Sequence, residues 1–387
     1  MGGYKVYTMT RFEVRAVKVK WLEFENLRTG LKIEKIFFNS DITLLVGLSG
    51  VGKTQILNAI EYSLNLAVDK STRLEPYHAS MGVEIDNDEY EWEYFIQIEK
   101  DQDLITEGEE EYYFSSEKLL KNGEILFVRD DKQVKVTGYE KIPTPKKDES
   151  LLVQYAEDSI LKKVIAGLRK LYPIELEINV RIGIGKADFS TLKNKIQEMI
   201  KKNNNTDFRV FSHLPVAMKV YVAKNYYPDL YLKIFDAVKE LFMEIQDIDV
   251  VEDTSREMYL IAMKVYNKTL LQHEISNGML KTIYYIVELF TMSKDALVLI
   301  DEFENGLGVN CIDLLSEMLI TEREDLQFII TSHHPKIING IPKEKWKIID
   351  RNISIIKNSG SVQYGIGNSQ HEAYFNLINK WEFEGKI

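Results

Sequence analysis

The eight residues GLSGVGKT at 47–54 bring together three glycines, a lysine and a hydroxyl, the set that wraps a polyphosphate. Gly47, Gly50 and Gly52 free the backbone to turn its N–H groups inward around an anion. Ser49 and Val51 fill the positions between them, and Gln55 follows the motif. Lys53 suits the β- and γ-phosphates, and the Thr54 hydroxyl suits Mg²⁺. The expected ligands are therefore ATP and Mg²⁺. A second group stands far downstream, where the apolar run of ALVLIDEFENGLG (296–308) ends in Asp301 and Glu302. Asp301 at a strand tip suits a metal ligand. Glu302 stands where a carboxylate can orient and deprotonate an attacking water. Ser276-Asn277-Gly278, about 25 residues before Asp301, opens an apolar helix and offers another helix N-terminus to phosphate. His333, about 32 residues after Asp301, ends the strand-like QFIITSHHP and suits a γ-phosphate contact.

Such a loop needs a strand before it and a helix after it. Ile42-Thr43-Leu44-Leu45-Val46 reads as a buried strand. Ile56, Ala59, Ile60 and Leu64 share one face of a helix expected to run to about Leu66, its N-terminus aimed at the same anion. Residues 12–46 read as paired strands leading into the loop. Downstream, Trp92, Tyr94, Ile96 and Ile98 alternate with Glu91, Glu93, Gln97 and Glu99, a period of two that predicts strands with one buried face. An acidic turn at 108–111 continues this antiparallel arm to about residue 141. The two prolines of 142–150 predict a linker. Helical periods follow at 151–172, 189–202 and 230–245, with a loop at 202–207. Pro215 and Pro228 argue against a long coiled coil.

With 387 residues, 45% of them hydrophobic and 28% charged, the chain is large enough for one elaborated domain or two. No apolar run approaches the roughly 18 residues of a membrane helix, and the first residues lack a signal-peptide core. A single cysteine, Cys311, excludes an intramolecular disulfide and a cysteine-cluster metal site. The expected setting is a reducing cytoplasm. A net charge of −11 is the wrong overall sign for a dedicated nucleic-acid binder, although Lys146, Lys147, Lys193, Lys195, Lys201 and Lys202 could form a local patch.

Loop, capped turn, acid pair and histidine in this order resemble the ABC-type ATPase heads of the SMC-like group. The likeness is greatest to the compact OLD-like and Septu-type ATPases of bacterial phage defence. It covers about 12–66 and 256–387. Asn26-Leu27-Arg28-Thr29 resembles the family's Asn-Phe-Arg-Ser stretch, which implies a nucleotide contact for Arg28. Ser49 stands where the family's loop usually has Asn, and Gly308 where the sequel to the acid pair usually has His. Thr331-Ser332-His333-His334-Pro335 resembles the Thr-Thr-His-Ser-Pro stretch, which implies a switch role for His333. A Mg²⁺-sensing glutamine is implied too, and Gln97 and Gln154 both lie in the interval for it.

The resemblance implies an α/β P-loop ATPase head with an antiparallel β arm and a helical insertion. The expected regions are 1–141 (phosphate loop and arm), 142–255 (linker and insertion) and 256–387 (signature turn, acid pair and histidine). It further implies a head-to-tail homodimer or higher homo-oligomer, with each ATP lying between Lys53, Thr54, Asp301 and Glu302 of one chain and the Ser276 turn of another. About 52 residues follow Pro335, too few for a nuclease domain, so the expected output belongs to an effector from a neighbouring gene, an HNH nuclease or toxin. The rival expectations are a DNA-engaging RecF- or SMC-like repair ATPase and the ATPase subunit of a transporter.

Overall fold

The computed structural model describes residues 17–99, 111–140, 142–159, 161–170, 174–175, 183–202, 208–212, 214–361, 366 and 370–383. The strands expected at 12–16, most of the acidic turn and the loop after Lys202 lie outside them. Two compact units result. One comprises 10–175, 295–303 and 324–387; the other comprises 1–9, 176–294 and 304–323.

The first unit carries β1 (Val17–Asn26), β2 (Leu31–Phe37), β3 (Ile42–Val46) and α1 (Lys53–Val68). Five arm strands follow: β4 (Tyr77–Ile85), β5 (Asp88–Glu99), β6 (Glu111–Lys121), β7 (Glu124–Arg129) and β8 (Val134–Val136). The short helices α2 (Leu151–Gln154) and α3 (Lys162–Lys170) lead to β9 (Ile174–Glu175). The second unit supplies β10 (Ile184–Gly185), α4 (Lys186–Lys202), α5 (Val216–Tyr226), α6 (Pro228–Leu241), β11 (Ile245–Asp253), β12 (Met258–Val265), β13 (Lys268–Leu271) and α7 (Asn277–Thr291). After β14 (Leu297–Ile300) of the first unit comes α8 (Val309–Thr321) of the second. The chain then closes in the first unit with β15 (Gln327–Thr331), α9 (Pro335–Gly340), β16 (Trp346–Asn352), β17 (Ile355–Gly360) and α10 (Gln370–Phe383).

Among the described residues, thirteen strands of the first unit form one sheet, ordered β8-β7-β6-β5-β4-β1-β2-β17-β16-β3-β15-β14-β9. Around the phosphate loop the sheet is parallel: β3 pairs with β15 on one side and β16 on the other, and β14 lies beyond β15. Strands β3, β14 and β15 are buried at every position, because layers cover both faces of a parallel sheet and leave no wet side for polar residues. The arm is antiparallel and keeps its period of two. Trp92, Tyr94 and Ile96 are buried while Glu91, Glu93 and Gln97 are exposed. The expected helix face also holds, since Ile56, Ala59, Ile60 and Leu64 of α1 are all buried in the core shared with the arm. This is the α/β architecture with an antiparallel arm that the sequence implied.

Two local expectations need correction. Segment 142–150 is no loose linker. Glu117, 1% exposed, accepts from Arg129 (2.6 Å), Trp92 Nε1 (3.1 Å), Ser150 Oγ (2.6 Å) and Leu151 N (2.8 Å), while Arg129 also donates to the carbonyl oxygens of Lys146 and Glu149. A buried acid satisfied on every side straps this segment to the arm. The helix expected over 151–172 is two, α2 and α3, because the chain turns at Tyr155 and restarts where the Asp158 carbonyl accepts from Lys162 N.

In the second unit, β11, β12, β13 and β10 form a four-stranded antiparallel sheet, and α5 and α6 pack on β11. Pro215 and Pro228, read from sequence as interruptions, are the N-cap of α5 and the first residue of α6, where a missing N–H costs nothing. Lys219 of α5 meets Glu288 of α7 at 2.5 Å in a buried ion pair.

Candidate functional site

The phosphate loop leaves the C-terminal end of β3 and enters α1 through Gly52. Gly50 and Gly52 adopt φ of +80° and +104°, left-handed conformations that a side chain resists. Gly47 is confined instead by space, since a Cβ there would stand 2.5 Å from the carbonyl oxygen of Ile349 on β16. Lys53 is buried and arches back over the loop, its Nζ donating to the carbonyls of Gly47 (2.8 Å) and Leu48 (3.0 Å). The first backbone N–H groups of α1 have no partner within the helix, so they and the helix dipole favour an anion at this end.

Asp301 follows β14, two strands from β3, with β15 between them. It nevertheless reaches the loop. Thr54 Oγ1 donates to Asp301 Oδ2 at 2.7 Å, and Thr331 Oγ1, at the buried tip of β15, donates to Asp301 Oδ1 at 2.5 Å. The same Thr331 hydroxyl accepts from Glu302 N (2.7 Å), and the Thr331 carbonyl accepts from Phe303 N (3.1 Å). Glu302 is exposed with φ of +46°, an uncommon conformation for a non-glycine residue. His333 stands half-buried just past β15, hence at the same sheet end as the loop and the acid pair.

These residues fit a nucleotide with its metal. Beside Gly52, the half-buried Gln55 carries a shielded Oε1 with no hydrogen-bond partner among the described residues, and a side-chain amide can turn to present its NH₂ instead. No cluster of three or more metal-ligating acids, histidines or cysteines occurs among the described residues. That suits Mg²⁺, which takes one or two protein oxygens and completes its shell with phosphate and water. Thr54 and Asp301, already in contact, would supply those oxygens.

The Ser276 turn belongs to the second unit. Ser276 is the N-cap of α7, its Oγ accepting from Met279 N at 3.3 Å, and Asn277 is exposed on the first turn. Gly278 faces segment 304–308, since a Cβ would lie 3.3 Å from the Gly306 carbonyl oxygen. Lys281 secures that segment by donating to the Asn305 carbonyl. Burial, and then the Glu304 carboxylate, push the Tyr285 phenol above its ordinary value.

A family model described as "AAA domain, putative AbiEii toxin, Type IV TA system" matches residues 187–339, the stretch that holds the Ser276 turn, Asp301, Glu302 and His333. Among solved structures, the SMC head domain from Thermotoga maritima is similar at 12% identity, covering 89% of this chain and 98% of that one, with a TM-score of 0.44. An Smc head domain bound to the C-terminal domain of ScpA derived from Pyrococcus furiosus has the same identity and TM-score over 89% and 96%. An SmcHead bound to the C-winged helix domain of ScpA gives 13% and 0.43 over 88% and 97%. No curated protein matches the chain. The matched stretch does not include the phosphate loop at 47–54.

Other expected residues lie apart from this cluster. Arg28 sits in the β1–β2 turn, where its guanidinium donates to the Tyr112 hydroxyl. Gln97 accepts from Tyr113 within the arm (3.4 Å), and Gln154 bonds to Lys146 and Glu149 in the strap. Of the lysines that could form a local basic patch, several are engaged locally: Lys146 with Glu149, Lys147 over Tyr113 and Lys193 over Tyr221. No helix among the described residues is long and apolar enough to cross a membrane.

Sequence reasoning gave Thr331 no role of its own and missed Ile349, Ile356 and Arg351. Thr331 joins Asp301 to Glu302. The Ile349 carbonyl and Ile356 side chain wall in Gly47 and Gly52, and Arg351 Nη1 donates to the Gly50 carbonyl at 3.4 Å. A hydroxyl ending the apolar strand before His333 was the one available signal.

Proposed function

We propose that this chain binds ATP with Mg²⁺ at the phosphate loop and hydrolyses it. The observation that carries the reading is the hydrogen-bonded series Thr54–Asp301–Thr331–Glu302, which ties the loop to the acid pair across an intervening strand. The loop N–H groups and Lys53 hold the phosphates. Thr54 and Asp301 hold Mg²⁺, which when bound neutralises charge developing on the phosphoryl oxygens. Glu302 takes a proton from water, and Thr331 fixes the backbone from which it acts. His333, at the same sheet end, contacts the γ-phosphate. Gln55, beside Gly52, is assigned to the margin of the nucleotide.

We further propose a head-to-tail homodimer in which the exposed Ser276-Asn277-Gly278 turn of one copy completes the loop of another. ATP then shifts the population toward the engaged dimer, because the γ-phosphate supplies contacts that ADP lacks. The family description names a toxin–antitoxin system, which supports a role of that kind; phage defence, with a cytoplasmic effector from a neighbouring gene under the control of nucleotide state, is part of the same proposal. The OLD-like or Septu-type affiliation belongs to the same proposal.

The test mixes two inactive variants. Ser276→Arg should bind ATP without hydrolysing it, as should Glu302→Gln. A mixed dimer contains one intact site, so some turnover should return on mixing. Absence of recovery at any ratio, with a stable oligomer present, would mean that the turn is only a helix cap.

A further inference from the structure

Strand β16 runs parallel to β3 and continues beyond it. Their last paired residues are Ile348 and Val46, so residues 349–352 pass alongside the phosphate loop. The β16–β17 turn there contains Ile353, a β-branched residue at φ +55° with 89% of its surface exposed. Left-handed β-branched residues are genuine outliers and persist only where surrounding bonds hold them. The holding bond comes from Arg351, whose Nε donates to the Ile353 carbonyl at 2.8 Å. Its Nη1 reaches across to the Gly50 carbonyl at 3.4 Å.

We infer that Arg351 is a positioning residue that sets the donor geometry of the phosphate loop, an inference that rests on the ATP-binding reading above. A trans peptide is planar, so the Gly50 carbonyl and the Val51 N–H point in opposite directions. A cation that captures the carbonyl outside the loop therefore turns the Val51 N–H inward and polarises it as a donor. The planar fork of arginine can hold two carbonyls at once, whereas the single ammonium of lysine is a point charge without that fork. The turn thus anchors the guanidinium, and the guanidinium anchors the loop. Gly50, at φ +80°, is the one of the three loop glycines with nothing within 4 Å of its Cβ position.

The experiment measures ATP and ADP affinity by direct titration for the wild type, Arg351→Met and Arg351→Lys, with thermal melts alongside. Arg351→Met should weaken ATP and ADP alike, by about tenfold, the value of one charge-assisted hydrogen bond. Arg351→Lys should be nearly as weak, and neither variant should melt lower by more than about 2 °C, since the side chain is exposed. Unchanged affinity in Arg351→Met overturns the inference. So does a loss confined to ATP that Arg351→Lys restores, because the cation would then meet the γ-phosphate directly. A parallel fall in melting temperature also overturns it, by making Arg351 part of the scaffold. Failure of the wild type to bind either nucleotide sinks the ATP reading itself.

Discussion

Gly52 is the position where fold and candidate site constrain each other most tightly. It is the N-cap of α1 at φ +104°, and a Cβ there would lie 2.2 Å from Ile356 Cδ1 and 2.9 Å from Ile356 Cγ1 and Gln55 Oε1. The first contact is more than an ångström short of the ~3.5 Å at which carbon atoms pack well. Ile356 is 1% exposed and belongs to the packed core, where side chains have little room to shift. Gly52→Ala should therefore incur about 1–2 kcal/mol for the left-handed backbone and about 1–3 kcal/mol for overpacking. Gly50→Ala, with nothing within 4 Å of its Cβ, should incur the backbone part alone. Urea denaturation of the two variants separates the contributions. Ile356→Val removes the nearest clashing atom. Alone it should destabilise by about 0.5–1.5 kcal/mol. On the Gly52→Ala background it should be neutral or stabilising, a coupling of at least about 1 kcal/mol. If Gly52→Ala is no worse than Gly50→Ala, or if the two changes at 52 and 356 simply add, the packing of β17 on the loop is wrong.

Arg129→Met leaves the Glu117 carboxylate buried without its cation and should lower unfolding free energy by about 3–5 kcal/mol in urea, with Glu117→Gln on that background recovering part of the loss. Asp88 is held below the ordinary carboxylate value of 3.8 by hydrogen bonds from Lys163, then Asn122, then Lys121. A carboxylate whose folded-state pKa is depressed stabilises the fold above its unfolded pKa, and that contribution is lost as pH falls through the folded value. Asp88→Asn should thus be less stable than wild type at neutral pH, and the gap should narrow below about pH 4 in acid denaturation.

What the sequence made legible was local. The glycines, Lys53 and Thr54 are contiguous, and the buried face of α1 is written in the spacing of Ile56, Ala59, Ile60 and Leu64. The acid pair stood out because an apolar strand stops abruptly at Asp301. The partners that complete the loop were hidden for the opposite reason. Ile349, Arg351 and Ile356 lie some three hundred residues downstream of it, in a hairpin whose pattern reads only as strand. Thr331 carries two roles through one hydroxyl, and no period or motif marks that. Pro215 and Pro228 do interrupt the helical stretch of the second unit, and they do so at helix starts, as the N-cap of α5 and the first residue of α6. The strap at 142–150 was hidden because its anchors, Glu117 and Arg129, are ordinary charged residues until the arm buries them.

Steady-state ATP hydrolysis with Mg²⁺, compared among wild type, Lys53→Ala and Glu302→Gln from identical preparations and paired with ATP titration, tests the central claim most directly. The wild type should turn over ATP. Glu302→Gln should bind it with near-normal affinity and hydrolyse it at least about a hundredfold more slowly, the usual contribution of a positioned base. Lys53→Ala should lose affinity. Hydrolysis by Glu302→Gln at close to the wild-type rate, or ATP binding that survives Lys53→Ala unchanged, would contradict the assignment of this loop and acid pair as one catalytic site.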